Sequence, residues 1–426
     1  MNKPGPAHQV FWYAQQPEAE QLRSAITADV VIVGGGMAGM SAAYRFAQEG
    51  KHVVLLEQYY CGGGATGKSS GFITADSEVN LTHMIDLYGK TGAHRIWELG
   101  NSGTELIRTI VKEHGLECEY QEQDTSVLAN SAAGFKEISQ EHASRLEMGY
   151  ESNLYTKQQL HAVVGTDQYY GALRYGPTFG INAFAYCQAL KQVLKKMGVL
   201  VYEETPALTI EPRRVNTTHG SVAAEHVIVC TDQYAPKINV LKDDVFHAQT
   251  FLTMSAPLTP EQIAQIYPAG RVMAWDTDMI YTYFRSTPQN RILLGGANLL
   301  YTYDTKEKFH APSMLKKFQN YWHSKFPHIP LQIEYMWPGL IGISKDMIPL
   351  AGHDKNHKSI YYISACSGLP WAAAIGNYCV EHIVHGRRDF DTYFNPYRSY
   401  IMRPWMQALL GKRLTFAINN AFTLLR

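Results

Sequence analysis

The residues best placed to do chemistry lie close to the start of the chain. Gly34-Gly-Gly36-Met-Ala-Gly39 follows the pattern G-x-G-x-x-G, and each glycine has a separate physical task. Gly34 allows a tight turn off a strand, Gly36 lets the backbone approach a pyrophosphate, and Gly39 lets a helix pack closely on the sheet. The helix that follows presents free N–H groups and a partial positive charge to phosphates. Glu57 comes about 20 residues after Gly36, the separation at which an acid meets a ribose hydroxyl. Alone, the hexapeptide is a weak signal. Its weight comes from context: a strand before it, a helix after it, and the acid at the end of a second strand. The chemistry expected is the binding of an adenine dinucleotide.

Two further glycine motifs compete. Gly62-x-x-x-x-Gly67-Lys68-Ser69 is a literal match to the phosphate loop of NTPases. That loop needs a helix starting at its Lys-Ser, whereas Ser70-Gly71-Phe72-Ile73 carries no helical periodicity. A chance match is the preferred reading, with an NTPase kept as the alternative. Gly67-Lys-Ser69-Ser-Gly71 likewise fits G-x-S-x-G, which needs a strand-to-helix turn. The same missing helix counts against a hydrolase. The 17 histidines include no His-Glu-x-x-His helix and no tight His/Asp cluster, so no metal is expected.

The elements that must hold these residues can be read from the apolar pattern. Ala28-Asp-Val-Val-Ile-Val-Gly34 reads as a buried parallel strand, Met37–Gln48 as a helix stopping at Gly50, and His52–Glu57 as a second strand. A glycine-rich loop, Cys61–Gly71, follows. Residues 80–180 mix helical patterns, such as Ala93–Gly115, with loops. Ala183–Gly198 reads as a helix before the strand Val199–Glu203, and His226–Thr231 is a further buried apolar run. From about 245 to 335 the signals become antiparallel, with alternating Tyr281, Tyr283 and Arg285, then Arg291–Gly296 across a Pro-Gln-Asn turn. Ser359–Ala365 is a strand and Trp371–His385 a helix closing on Gly386. The expected fold class is α/β. A discontinuous Rossmann-type cofactor domain (1–90, 183–243 and 337–400) holds an inserted α+β substrate domain on an antiparallel sheet (91–182 and 244–336), and 401–426 forms a C-terminal helical tail.

Composition agrees with a folded enzyme-sized chain. Its 426 residues suggest two or three domains, and 46% apolar residues exclude general disorder. Lys+Arg and Asp+Glu balance at 38 each, which argues against nucleic acid as the main partner. Cys61, Cys118, Cys187, Cys230, Cys366 and Cys379 form no Cys-x-x-Cys pair, so neither a disulfide framework nor structural zinc is expected. The N-terminus has no apolar signal region, and no run of about 18 apolar residues could span a membrane, which makes the cytoplasm the default location.

From about Phe11 to its end the chain resembles the flavin oxidoreductases of the D-amino acid oxidase superfamily, and most closely their γ-glutamylputrescine oxidase-like branch. The matching text is Phe11-Trp-Tyr-Ala, Ala28–Gly39, Gly64-Ala-Thr-Gly-Lys-Ser-Ser-Gly71, Tyr283-Phe-Arg285, Gln289-Asn-Arg291-Ile-Leu-Leu-Gly-Gly296, Trp337-Pro-Gly339, Pro349-Leu-Ala-Gly352 and Ala365-Cys-Ser-Gly-Leu-Pro-Trp371. The resemblance implies non-covalent FAD held by Gly34, Gly36, Met37, Ala38 and Gly39, with Glu57 and Gln58 at the adenosine ribose. It also implies the loop Gly64, Ala65, Thr66, Ser69, Ser70, Gly71, Phe72, Ile73 beside pyrophosphate and isoalloxazine. Ala207 would give a backbone contact to adenine, and Thr231 and Asp232 would turn back over the cofactor. Gly342 belongs to the same implied set. Ser367, Gly368, Leu369, Pro370 and Trp371 would lie at a helix N-terminus near the flavin pyrimidine edge, where a partial positive charge stabilises reduced flavin.

Departures from the family pattern shape the expected substrate. Glycine oxidase-like members have an arginine after their Trp-x-Gly-Leu stretch to clamp a carboxylate; here the position is Ile341. An amine therefore becomes the expected substrate. The sarcosine oxidase-like branch attaches flavin through a cysteine where this chain has Gly339, and its oxygen-activating lysine falls in Arg291–Gly296, which has none. The acceptor is left open between O2 and another oxidant. The implied reaction moves hydride from the carbon beside an amine nitrogen to flavin N5, giving an imine that hydrolyses. Phe72, Tyr283 and Trp371 are the candidate substrate wall, with Trp275 and Tyr281 beside them; plain core packing is the competing explanation for each. Arg285 could face a carboxylate or simply be solvated. Cys61 and Cys366 lie near the expected flavin and are expected to be inert. The tail Arg403–Arg426 could lie on a membrane surface, with docking back onto the protein preferred. A flavin-binding protein without turnover is the remaining alternative.

Overall fold

The computed structural model describes residues 7–13, 19–76, 78–297 and 307–400, with 406–407, 409–411 and 414 of the tail. The tail reading, residues 1–6 and Ala14 of the Phe11 stretch therefore lie largely or wholly outside the described residues.

The opening unit forms as its pattern requires. Strand β1 (Ala25–Val33) leads through the glycine turn into helix α1 (Met37–Gln48), and strand β2 (Val53–Leu56) returns parallel to β1. Val30–Val33 are all buried, because both faces of a parallel sheet are covered and every side chain must be apolar. Leu200–Tyr202, β2, β1, Ser221–Val229 and Ile360–Ser364 pair in that order as a parallel sheet. Antiparallel strands extend its edge at Ala207–Glu211, Arg214–Thr217 and Leu350–His353.

The second sheet has eight strands: Ile333–Ile343, Phe246–Ser255, Ile292–Ala297, Thr282–Ser286, Val272–Asp276, Asp124–Leu128, Gly171–Tyr175 and Asn153–Thr156. Neighbours run antiparallel except Val272–Asp276 against Asp124–Leu128. The expected fold class holds: a parallel nucleotide-type sheet with helices, joined to a largely antiparallel second sheet. The strand Ile333–Ile343 runs across position 337 and stays in the second sheet throughout.

Three local expectations need correction. The helix expected from Ala93 begins at Leu81, where the Asn80 side chain accepts the His83 N–H at 2.9 Å, and bends at Gly89 (φ 66°, ψ 167°). The glycine-rich loop contains a short helix, Ala65–Lys68. Residues 121–175 contribute strands where helix and loop were expected; these are four or five residues long and partly polar, too short for an alternation to register.

Packing ties the helices to one core. Helix α1 and the Leu369–His385 helix touch backbone to backbone, since a Cβ at Gly376 would lie 2.4 Å from the Ala38 carbonyl oxygen. Trp97, Ile96, Ile107 and Ile110 of the Leu81–His114 helix join Trp371, Ile375 and Tyr378 in the same cluster. Burying each such side chain stabilises by about 1.5–3 kcal/mol. A separate cluster under the second sheet packs Met314, Phe318 and Trp322 against Phe284, Ile292 and Leu294.

Candidate functional site

The glycine turn is built as its sequence foretells. Gly34 has φ +113°, and a Cβ there would lie 2.4 Å from the Cys230 carbonyl oxygen; a Cβ at Gly39 would meet the Gly34 oxygen at 2.0 Å. Both positions exclude a larger residue. Glu57, at the end of β2, accepts the Gly35 N–H at 2.8 Å and the Tyr59 N–H at 2.9 Å. Each carboxylate oxygen keeps a lone pair for a further donor. Burial raises its pKa, against the pull of those amides.

These groups open onto a cleft. Its walls include Gly34, Gly36, Met37, Ala38, Glu57, Gln58, Gly64, Ala65, Thr66, Ser69, Ala207, Thr231, Asp232, Cys366, Ser367, Gly368 and Leu369. Two helix N-termini converge there. Gly36 and Gly368 are the N-caps of α1 and of the Leu369–His385 helix, and neither offers a side chain to cap its first turn. The Met37 N–H of α1 goes to the Thr66 hydroxyl at 3.1 Å, and the N–H groups left free at the two helix ends favour an anion. Two wall hydroxyls, Thr231 Oγ1 and Ser367 Oγ, have no hydrogen-bond partner among the described residues. Unpaired acceptors, donors and two positive helix ends around one elongated space fit an anionic dinucleotide such as FAD.

The remaining sequence-predicted residues do not line this cleft. Gly39 is used in helix–strand contact, and Gly342 reaches the cleft through Asp232, whose Oδ2 accepts the Gly342 N–H at 2.9 Å. Asp232 Oδ1 accepts the Ala365 N–H at 3.0 Å. The Gly71 carbonyl accepts the Ile181 N–H at 2.9 Å, and Phe72 and Ile73 pair with Phe179–Gly180. Pro370 and Trp371 turn into the core. Trp371 is 1% exposed and donates its indole N–H to the Ala75 carbonyl at 2.9 Å, which corrects its reading as substrate wall.

The loop after β2 is pinned from behind. Tyr13 donates to the Gly63 carbonyl (2.8 Å), Trp12 to Ser69 (3.1 Å), Trp337 to Lys68 (3.0 Å) and Arg285 to Ser70 (2.7 Å). Arg285 is 1% exposed and also donates to the Ile181 carbonyl at 2.7 Å, so it is neither solvated nor facing a carboxylate. Burial lowers its pKa to about 10. The loop's helix ends at Lys68, Ser69 is extended, and Lys68 Nζ pairs with Glu307 at 2.5 Å. An NTPase loop would start its helix there, so the geometry opposes that alternative. The Ser69 hydroxyl donates to the Thr66 carbonyl at 2.7 Å and is no free nucleophile.

Phe72, Trp275, Tyr281 and Tyr283 are half-buried and form a contiguous aromatic group: Phe72–Trp275 at 6.2 Å, Phe72–Tyr283 at 5.9 Å and Tyr281–Tyr283 at 5.9 Å between ring centres. This group meets the cleft at Glu78, whose carboxylate takes the Tyr281 hydroxyl. Sequence reading missed Glu78, which stands in a short aperiodic stretch. It also missed Thr205, Pro206, Gln233 and Tyr234 on the wall. Only the Pro206 turn after Leu200–Tyr202 gave a local cue. Ile341 lies on the wall as well. Burial pushes the Cys61 and Cys366 thiols well above their ordinary range, which keeps them protonated and inert. Among the described residues no group of three or more His, Cys, Asp or Glu could hold a metal, and no helix is long and apolar enough to cross a membrane.

Comparison with known proteins agrees with this geometry. The family "DAO: FAD dependent oxidoreductase" matches residues 29–381. Gamma-glutamylputrescine oxidoreductase of Escherichia coli is 26% identical over 387 residues, covering 88% of each chain. A "probable oxidoreductase OrdL" of Haemophilus influenzae is 25% identical, covering 80% of this chain and 79% of its own. Among solved structures, glycine oxidase from Geobacillus kaustophilus superposes with a TM-score of 0.75 at 17% identity, over 88% of this chain and 99% of that one.

Proposed function

We propose, from the premise that the chain belongs to the DAO family of FAD-dependent oxidoreductases, that it oxidises the C–N bond of a primary or secondary amine. The single observation that carries this reading is the convergence of two glycine-capped helix N-termini, Glu57 and two hydroxyls without a partner among the described residues on one cleft. The first turn of α1 would take the pyrophosphate, Glu57 the ribose hydroxyls, and the backbone at Ala207 the adenine. The Gly64–Ile73 loop would run beside the isoalloxazine. Thr231 and Ser367 would donate to polar edges, and the Leu369–His385 helix would stabilise charge on the pyrimidine edge. Bound non-covalently, FAD supplies the hydride acceptor. The chain's own residues must hold the substrate C–H in line, keep the reacting nitrogen unprotonated and exclude water.

Amine rather than α-amino acid is favoured by Ile341, an aliphatic wall residue where a carboxylate clamp would stand. The similarity to gamma-glutamylputrescine oxidoreductase supports the same class. The acceptor is O2 or another small oxidant, and the proposed setting is the cytoplasm. The test is anaerobic: purified protein is expected to carry a visible flavin spectrum that bleaches with at least one member of an amine and amino acid panel. A colourless preparation that refuses added FAD overturns the cofactor reading. FAD-loaded protein that no panel member reduces favours the non-catalytic flavin-binding reading.

A further inference from the structure

Among the described residues three carboxylates reach the cleft wall, and they are not alike. Glu57 and Asp232 are committed to backbone N–H groups. Glu78 is not. Among the described residues its two oxygens share a single hydroxyl donor, Tyr281, at 3.1 and 3.3 Å, and no lysine, arginine or histidine pairs with it. Solvent reaches its side chain through the cleft. Protein nonetheless crowds it closely enough to raise its pKa, an effect the Tyr281 hydroxyl opposes.

A carboxylate without a counter-charge on a cleft wall is placed to make a charge-assisted contact with a cationic group of a ligand. The surroundings sharpen the choice. Beside Glu78, and outside the cleft lining itself, Tyr281, Tyr283, Phe72 and Trp275 form a contiguous half-buried aromatic group, a neighbourhood that suits an alkylammonium chain. We infer that Glu78, held by Tyr281, is a specificity-determining residue that anchors a second, non-reacting ammonium group of the substrate. The reacting nitrogen cannot be the one it holds. Hydride leaves only from a carbon beside an unprotonated nitrogen, and a neighbouring carboxylate would keep that nitrogen charged. The substrate class is therefore an amine with a second cationic nitrogen, such as a diamine. This inference rests on the amine-oxidation reading above.

The test compares 1,4-diaminobutane with 1-aminobutane as reductants of the FAD-loaded protein, in wild type, Glu78→Gln and Tyr281→Phe. Wild type is expected to favour the diamine in kcat/KM by about 10- to 100-fold, the range of one charge-assisted contact. Glu78→Gln should abolish most of that preference, chiefly through a higher KM for the diamine, while retaining its flavin. Tyr281→Phe, which spares the charge, should reduce the preference by less. Bleaching of wild type with no diamine preference, or an unchanged preference in Glu78→Gln, overturns the anchor and leaves amine oxidation standing. No bleaching of wild type by any amine overturns both.

Discussion

Asp232 offers the sharpest test of how the two halves of the cleft are joined. Its carboxylate takes the Gly342 N–H from the second sheet at 2.9 Å and the Ala365 N–H beyond the last parallel strand at 3.0 Å. Asp232→Asn keeps one acceptor oxygen and turns an NH2 group toward the other N–H, so one charge-assisted bond is lost. Such a bond is worth about 1.5–3 kcal/mol. Burial already raises the Asp232 pKa, so removing the charge recovers part of its desolvation, and the net loss expected is about 1–2 kcal/mol. Asp232→Ala strands both N–H groups and should lose about 2–4 kcal/mol. Urea unfolding reads this directly: the midpoint should fall in the order wild type, Asn, Ala, with the slope unchanged. Midpoints equal to wild type in both variants would refute the bridge.

Two further outcomes follow from the buried core. Trp371→Phe removes the indole donor to the Ala75 carbonyl at 2.9 Å and part of a side chain that is 1% exposed; a loss of about 2–3 kcal/mol in urea unfolding is expected, with amine preference retained. His382 is buried against His353, and desolvation lowers its pKa from 6.5 to about 4 despite Asp391 at 3.2 Å. The unfolded chain therefore binds a proton in that window and the folded one does not. Stability is full above pH 6.5 and falls toward pH 4, by on the order of 2–3 kcal/mol, and His382→Phe should flatten that slope in unfolding measured across the range.

The parts of the fold governed by local pattern were legible. The βαβ unit, the strand at Ile360 and the final helix follow from apolar runs ending in glycine, and many residues of the cleft wall are among those named from the glycine turn and the family text. What escaped was set by distant partners. Arg285 reads as a surface arginine from its alternating strand, yet its fate depends on the carbonyls of Ser70 and Ile181, over a hundred residues away. Trp371 abuts a helix N-terminus in sequence, but which way it turns is decided by Ala75. Glu78 had no pattern at all; only the folded chain brings Tyr281 to it. Trp12 and Trp337 stood in matching stretches whose common purpose, holding carbonyls of one loop, is visible only in three dimensions.

The order of strands in the parallel sheet bears on how the protein is made. β1 pairs along its length with Ser221–Val229, whose other edge is covered at its start by Arg214–Thr217 and at its end, over Val227–Val229, by Ile360–Ser364. During synthesis the phosphate turn thus leaves the ribosome with its neighbour nearly two hundred residues behind it. The nascent strand must stay shielded from mispairing until those later strands have been made, because exposed strand edges recruit the wrong partners. Pairing across such separations makes assembly of this half slow.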